Sequence, residues 1–548
     1  MRRLFLLAAA LLAAPASAQS FAVPMTVDAS RPVGQLAPIW RFFGADEPNY
    51  ATMKDGRKLM GRLGELRPGE VYFRAHNMLT SGDGTPAFKW GSTNSYTEDA
   101  AGNPVYDWAI SDAIIDSYRA RGVRPYLEVG FMPEALSSAP AGMPYQHDWR
   151  PTVSGSSLDG GWQYPPKDYG RWEELVYRWT LHNVERYGRE EVARWYFQTW
   201  NEANLAFYWK GTPEEFYRLH DVTVRAIRRA LPEARVGGPD VAGAGGAFMD
   251  GFLVHVVANG TPTDFLAFHA KGQPALVDGH IRMGLDVQLR TVDEGFAKIA
   301  AVPALRDKPI VIGENDPEGC AACSGPAVNY RNGTVYSSYT AASYPRLWEL
   351  AGRHKVNLEG ALTWAFTFED QPWFAGYRQL ASNGIDLPVL NAFRLFAKLG
   401  PTQLAASSAG QQPLDAILKS GVRGDPDVGI LATRTADGKI AILVWHYHDD
   451  DVAGPAANVS IALTGLGKAR SVGVTQWRVD ENHGNAFAAW NAMGSPRAVS
   501  RDQYAALETA SQMKPEGWAT PVGVRQGRAE LDFSLPRQGV SLLMIEAR

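Results

Sequence analysis

The chain has 548 residues, 45% hydrophobic and 20% charged, with a formal net charge of −4. That length exceeds one compact core, so two or three domains are expected. The near-neutral charge gives no ground for a nucleic-acid or anionic-membrane partner, and the composition is that of an ordinary globular protein.

Residues 1–18 read as a signal peptide. Arg2 and Arg3 form its basic start, 4–12 its apolar stretch, and Ala16-Ser17-Ala18 an A-x-A cleavage site. The apolar stretch is far short of the roughly 20 residues of a membrane span, and no later segment reads as one. An exported protein, periplasmic or secreted, is expected.

Eight short apolar runs follow, at 39–44, 71–75, 125–131, 195–200, 234–237, 264–269, 309–313 and 360–366. Segments with helical periodicity lie between them, among them 108–119, 169–187, 214–231 and 339–351. This alternation predicts an α/β fold, a (β/α)8 TIM barrel over 39–400, with its site at the C-terminal strand ends. Two long loops, 77–103 and 133–166, are expected to wall a closed pocket on that face. After Pro401 the pattern changes to two-residue alternation, at 428–434, 439–446, 458–463, 472–479 and 540–545. It predicts a C-terminal β-sandwich accessory domain over 401–548. Segment 19–38 precedes the first barrel strand and is expected to join that sandwich.

The two cysteines, Cys320 and Cys323, form a C-x-x-C. Two ligands do not close a zinc site, and no thioredoxin-like context surrounds them. In an exported chain a local disulfide is expected, bracing the loop after Glu314. No H-E-x-x-H, calcium loop or glycine-rich phosphate cradle is visible, so no metal or cofactor is expected. The 17 Trp, 21 Tyr and 22 Phe lean toward a carbohydrate ligand, because aromatic faces cover the apolar faces of sugar rings.

The chemistry concentrates at two strand ends. The run 195–200 closes on Trp200-Asn201-Glu202-Ala203-Asn204, and 309–313 closes on Glu314. Cleaving a glycosidic bond needs one carboxylic acid to protonate the leaving oxygen and a second carboxylate to attack the anomeric carbon or activate water. Glu202, among Trp200, Phe207, Tyr208 and Trp209, suits the acid, because apolar surroundings disfavour its charged form. Glu314 suits the nucleophile. Arg74, at the end of the second run, is placed to hold Glu314 ionised and oriented.

The chain resembles glycoside hydrolase family 39, the β-xylosidase and α-L-iduronidase family, and is closest in pattern to bacterial β-xylosidases. The resemblance rests on Trp200-Asn201-Glu202-Ala203-Asn204-Leu205, Val236-Gly237-Gly238-Pro239 and Asp264-Phe265-Leu266-Ala267-Phe268-His269. It extends to Ile312-Gly313-Glu314-Asn315, Leu362-Thr363-Trp364-Ala365-Phe366 and Asn383-Gly384-Ile385. It implies Glu202 as acid/base, Glu314 as nucleophile, and Asn201 on the sugar 2-hydroxyl. It also implies substrate roles for His269 and His76, with Trp364 stacking beneath the sugar. Phe207, Glu369 and Trp373 are further subsite candidates. Ala203 stands where the family usually has Pro, and Gly313-Glu314-Asn315 where Thr-Glu-Trp is commoner.

The expected function is therefore a retaining exo-glycosidase, a β-1,4-xylosidase acting on xylo-oligosaccharides. The segment from Asn482 to Phe487, with Trp490 and Met493 to Pro496, also looks like bacterial β-xylosidases. An α-L-arabinosidase, an α-L-iduronidase-like enzyme or another exo-glycosidase is the alternative. An iduronidase must pair a uronate carboxylate, for which Lys271 and Arg282 are available. A non-catalytic carbohydrate-binding barrel is the reading from a different class.

Overall fold

The computed structural model describes residues 20–85, 91–145 and 159–548. The expected leader lies outside the described residues, as do 86–90 and 146–158 of the two long loops.

Eight parallel strands close into a barrel. In chain order they are β1 (Phe42–Ala45), β2 (Val71–Ala75), β3 (Val123–Val129), β4 (Tyr196–Thr199), β5 (Arg235–Val241), β6 (Phe265–Lys271), β7 (Pro309–Asp316) and β8 (Asn357–Ala365). Each pairs with the next, and β8 closes on β1. All eight apolar runs are barrel strands. Helices cover such strands on one side and the barrel interior fills the other, so the runs are apolar on both faces.

The outer helices carry clear end signals. Tyr169–Tyr187 starts at Asp168, whose carboxylate accepts from the N–H groups of Gly170 and Arg171. Pro213–Ala230 has Pro at its first turn, a Thr212–Glu215 capping box, and Arg228 and Arg229 in its last turn against the helix dipole. Thr334–His354 begins earlier than the expected 339. Its first turns, from Val335 to Ser343, are buried all round and lack a one-sided apolar pattern.

Alternate side chains of each strand enter the barrel. Phe42, Tyr72, Tyr196 and Phe265 meet there as a floor of rings, with centroids 5.1 Å apart for Phe42–Tyr72, 4.9 Å for Tyr72–Tyr196 and 5.1 Å for Tyr196–Phe265. Tyr126 joins the same layer. Two residues beyond Tyr72, Tyr126 and Tyr196 come Arg74, Glu128 and Gln198, and four beyond Phe265 comes His269. A polar layer thus rests directly on an aromatic floor, which excludes water from below and strengthens the charge interactions above it.

Outside the barrel, three short strand pairs sit in its loops, and the N-terminal strand with the C-terminal strands forms one ten-stranded sheet. Phe21–Gln35 pairs antiparallel with Thr402–Ser408 and parallel with Ala457–Thr464, so the N-terminal strand is built into the C-terminal sheet. Ser471–Val479 and Ala529–Leu535 lie near opposite ends of the strand order, yet Val472, Val474, Leu531 and Leu535 share one apolar core with Val23 and Val27. The sheet therefore curls over its own core along a single hydrogen-bonded path. Among the described residues, no helix is long and apolar enough to cross a membrane.

Candidate active site

Glu314 lies in β7 and faces His269 of β6 in register. The pairing slips between Ile312 and Glu314, at Gly313, and the β5–β6 pairing slips between Pro239 and Val241, at Asp240. Such bulges re-aim side chains at barrel rims. The two irregularities are in contact: a β-carbon on Gly313 would sit 1.9 Å from Asp240 Oδ1. Glycine at 313, having no β-carbon, is what admits the Asp240 carboxylate.

Glu202 follows β4 in a tight turn. Trp200 and Glu202 have φ of 63° and 45°, and Asp240 opposite has 52°. Each such left-handed non-glycine residue costs on the order of 1–3 kcal/mol and persists only where its surroundings hold it. Here the Glu202 N–H donates to the Asp240 carbonyl at 2.9 Å. Asn204 donates to the Ala242 carbonyl at 3.0 Å and accepts from the Ala242 N–H at 2.9 Å. The Trp200 indole N–H donates to the Tyr208 carbonyl at 3.0 Å. These bonds fix the loop that carries Ala203 in place of Pro.

Charges alternate around the carboxylate pair. Arg74 donates from Nε to Gln198 at 2.7 Å and from Nη2 to Asn201 Oδ1 at 2.7 Å. The same Nη2 lies 2.9 Å from Glu128 and 2.5 Å from Asp240, while Nη1 is 3.4 Å from Glu314. The Lys271 ammonium bridges Glu314 and Asp316, 2.5 Å from each. Burial alone would push the Glu314 carboxyl up. Lys271 first, then His269 and Arg74, override it and hold the group well below the ordinary carboxylate range. His269 is fully buried, with Nε2 2.9 Å from Asp240 and Nδ1 2.7 Å from Glu202 Oε1. Burial opposes its charged form, but Asp240, Glu314 and Glu202 push its pKa up to about 10, so the ring is an imidazolium at neutral pH. Glu314 is therefore ready as an anion, and Glu202 is bonded to a proton-bearing partner.

Removing Lys271 takes away the strongest of the forces that keep Glu314 ionised. In Lys271→Met the Glu314 carboxyl is expected to titrate at higher pH. Burial pushes the Asp46 carboxyl in the same cavity up to about 6. The acid limb of kcat/KM, which reports the free enzyme, is therefore compared between Asp46→Asn and Asp46→Asn with Lys271→Met, where it should move to higher pH. An unchanged limb in a pH–rate profile contradicts this account of Glu314. Asp316 keeps Arg378 at 3.4 Å, so the variant does not strand that second buried carboxylate.

A cavity of about 450 Å³ opens above the pair, lined by Glu202, Glu314, Lys271, Asp46, Tyr208, Leu205, Phe207, Trp364 and Phe366. The disulfide Cys320–Cys323 is formed, and Cys320 with Ala321 and Ala322 builds part of the wall. Buried Arg331 donates to the carbonyls of Cys320, Cys323 and Gly376, which anchors this wall from behind.

The expected site residues separate into three places. Glu202, Glu314, Trp364 and Phe207 line the cavity. Arg74, Asn201, His269 and His76 lie just behind it; Asn201 keeps its Nδ2 without a protein partner, and His76 bonds Glu128 at 2.6 Å with its ring against Trp364. Glu369 and Trp373 are not in the cavity wall. Glu369 accepts from the Asp55 N–H, at the start of helix Lys54–Leu66, at 2.5 Å. Trp373 packs on Phe374 and on Tyr504 of helix Arg501–Ser511. The loop after β8 turns these two side chains toward helix Lys54–Leu66 and helix Arg501–Ser511. Arg282 is likewise elsewhere, bonded to Asp450 at 2.6 Å.

Reading by motif missed Asp46, Glu128, Asp240 and Asp316. One signal marks them all: each is an acid inside or just beyond an apolar barrel strand, where an unpaired charge is too costly to keep. Among the described residues, no group of three or more His, Cys, Asp or Glu is arranged to hold a metal ion.

A closed parallel barrel with two glutamates at the ends of its fourth and seventh strands, above a small cavity, is the architecture of a glycoside hydrolase. The sequence profile of Glycosyl hydrolases family 39 matches residues 23–526, and the chain belongs to this family of glycosidases. It is 28% identical over 498 residues to a beta-xylosidase of Geobacillus stearothermophilus, spanning 88% of each chain. It is 24% identical to an alpha-L-iduronidase of Canis lupus familiaris, spanning 99% of this chain and 81% of that one. Among solved structures, the GH39 enzyme from Xanthomonas axonopodis pv. citri shares the fold with a TM-score of 0.74 at 22% identity, over 97% of this chain and 98% of that one.

Proposed function

We propose that this protein is a retaining exo-β-xylosidase that releases single xylose units from xylo-oligosaccharides by double displacement. One observation carries the stereochemical part. The single nitrogen His269 Nδ1 lies 2.7 Å from Glu202 Oε1 and 3.8 Å from Glu314 Oε1. These two oxygens are then no more than the sum of those distances apart, about 6.5 Å, which favours the roughly 5–5.5 Å carboxyl spacing of retaining enzymes over the roughly 6.5–9.5 Å of inverting ones. Glu314 attacks the anomeric carbon while Glu202 protonates the leaving oxygen. The glycosylated Glu314 loses its charge, and Glu202 then takes the proton of the incoming water. Arg74 holds Asn201 Oδ1, which leaves the amide nitrogen to donate to the sugar 2-hydroxyl.

The xylose assignment rests on the beta-xylosidase relative and on the small cavity. Lys271 supports a second reading, an acidic sugar as in the alpha-L-iduronidase relative, because it is a cation in the cavity wall. Its bonds to Glu314 and Asp316 already balance that charge, so the neutral sugar is preferred. A panel of nitrophenyl glycosides tests both: β-xyloside, α-arabinosides, β-glucoside and α-iduronide. The β-xyloside is expected to turn over fastest, with β-xylose as the first product by NMR. A best rate on the iduronide overturns the sugar assignment, and α-xylose as first product overturns retention. The leader expected at 1–18 and the disulfide, a bond that persists in oxidising compartments, support an exported protein. In this reading 39–400 is the catalytic unit, and 19–38 with 401–548 the accessory unit.

A further inference from the structure

Three carboxyl groups face the cavity, and the cleavage reaction uses two of them. The third is Asp46, one residue beyond β1, in the cavity wall with its side chain 17% exposed. Its bonding differs from that of the other two. Glu314 is tied to Lys271 and Arg74, and Glu202 to His269. Asp46 has His76 Nε2 at 3.7 Å, beyond hydrogen-bond reach, and a hydrogen bond with the Trp364 side chain. A carboxylate has about four acceptor sites, and these contacts fill only part of them in a residue that lines the cavity.

Its place on the rim says which part of a ligand it meets. Glu202 on β4 and Glu314 on β7 bracket the anomeric carbon. From Glu314 the rim continues to Trp364 on β8 and then to Asp46 after β1, away from the Leu205 and Phe207 side. Asp46 therefore lies past the ring that would carry the sugar, opposite the leaving group. We infer that Asp46 is the specificity-determining residue of this blind end, its carboxylate accepting hydrogen bonds from the 3- and 4-hydroxyls of the terminal sugar. The inference rests on the glycosidase reading of Glu202 and Glu314. It also accounts for exo action, because a sugar substituted at O4 would leave a buried carboxylate facing an ether oxygen without a donor.

The test is kcat/KM for an aryl β-xyloside and for its 3-deoxy and 4-deoxy analogues, with the wild type, Asp46→Asn and Asp46→Ser. The wild type is expected to prefer the parent by about 100-fold over at least one deoxy analogue, the scale of a hydrogen bond to a charged group. Both variants are expected to lose about the same factor on the parent and only a few-fold on that analogue. A wild type indifferent to both deletions overturns the inference without any variant. Equal losses on all three substrates also overturn it, by reducing Asp46 to a structural role. A pH profile adds an independent readout. Burial, opposed by His76 and reinforced by Glu314, pushes the Asp46 carboxyl up to about 6, with Arg378, Trp364 and Tyr208 as its other neighbours. Its anion is the acceptor, so wild-type kcat/KM should fall as pH drops through about 6, and this limb should vanish in Asp46→Asn. If another glycoside of the panel proves the best substrate, the deoxy series is made on that sugar. The xylose assignment then fails, while Asp46 is still judged by the same comparison.

Discussion

Glu314→Ala is expected to lower kcat on every glycoside by at least about 10⁴-fold, the scale seen when a catalytic nucleophile is deleted. No other group can substitute. Asp316, two residues on, is held by Lys271 and Arg378 and is fully buried. Glu128 and Asp240 are locked on Arg74 in the layer below. The variant should still fold, because each cation that Glu314 touches retains another acid: Lys271 keeps Asp316, Arg74 keeps Glu128 and Asp240, and His269 keeps Asp240. Thermal unfolding beside kinetics separates the two outcomes. Azide added to this variant should give the glycosyl azide of inverted configuration, since the small anion enters from the vacated face. A folded variant retaining a tenth of wild-type activity would remove Glu314 from the mechanism.

Glu202→Ala should divide substrates by their leaving groups. General-acid assistance contributes about 10²–10⁴-fold, and a dinitrophenolate leaves without it. Xylobiose turnover should therefore fall by about 10³-fold or more, while the first step on a dinitrophenyl xyloside survives and its intermediate accumulates. Azide should speed that second step and give the azide of retained configuration, opposite to the Glu314→Ala product. Because position 202 has φ of 45°, alanine retains the backbone strain without the bond to His269. Glu202→Gln, which keeps the shape, is the companion variant. Equal losses on xylobiose and on the activated xyloside would exclude Glu202 as the acid.

The barrel was legible because its strands are apolar on both faces and its helices are amphipathic, and the exception proves instructive. Thr334–His354 is wedged between barrel and sheet, so burial on all sides erased the one-sided pattern at its start. The two glutamates were legible because each follows an apolar strand and each has a chemical task. Their partners were not. Nothing in the order of the chain pairs Lys271 with Glu314 or Asp240 with Arg74; pairing of β6 with β7 brings the first two together, and closure of the barrel the second two. Glu369 and Trp373 looked equivalent to Phe207 as an acid and an aromatic beside a strand end. The sequence of the loop after β8 does not tell its cavity side from the side that meets helices Lys54–Leu66 and Arg501–Ser511.

The contact between Gly313 and Asp240 constrains the order in which this site can change. A side chain at 313 collides with the carboxylate at 240, so replacing the glycine forces that carboxylate away from Arg74 and His269. Shortening the aspartate first strips His269 and Arg74 of a shared counter-charge. A change at either position therefore disturbs the same group of charges, and the two positions are expected to be exchanged together.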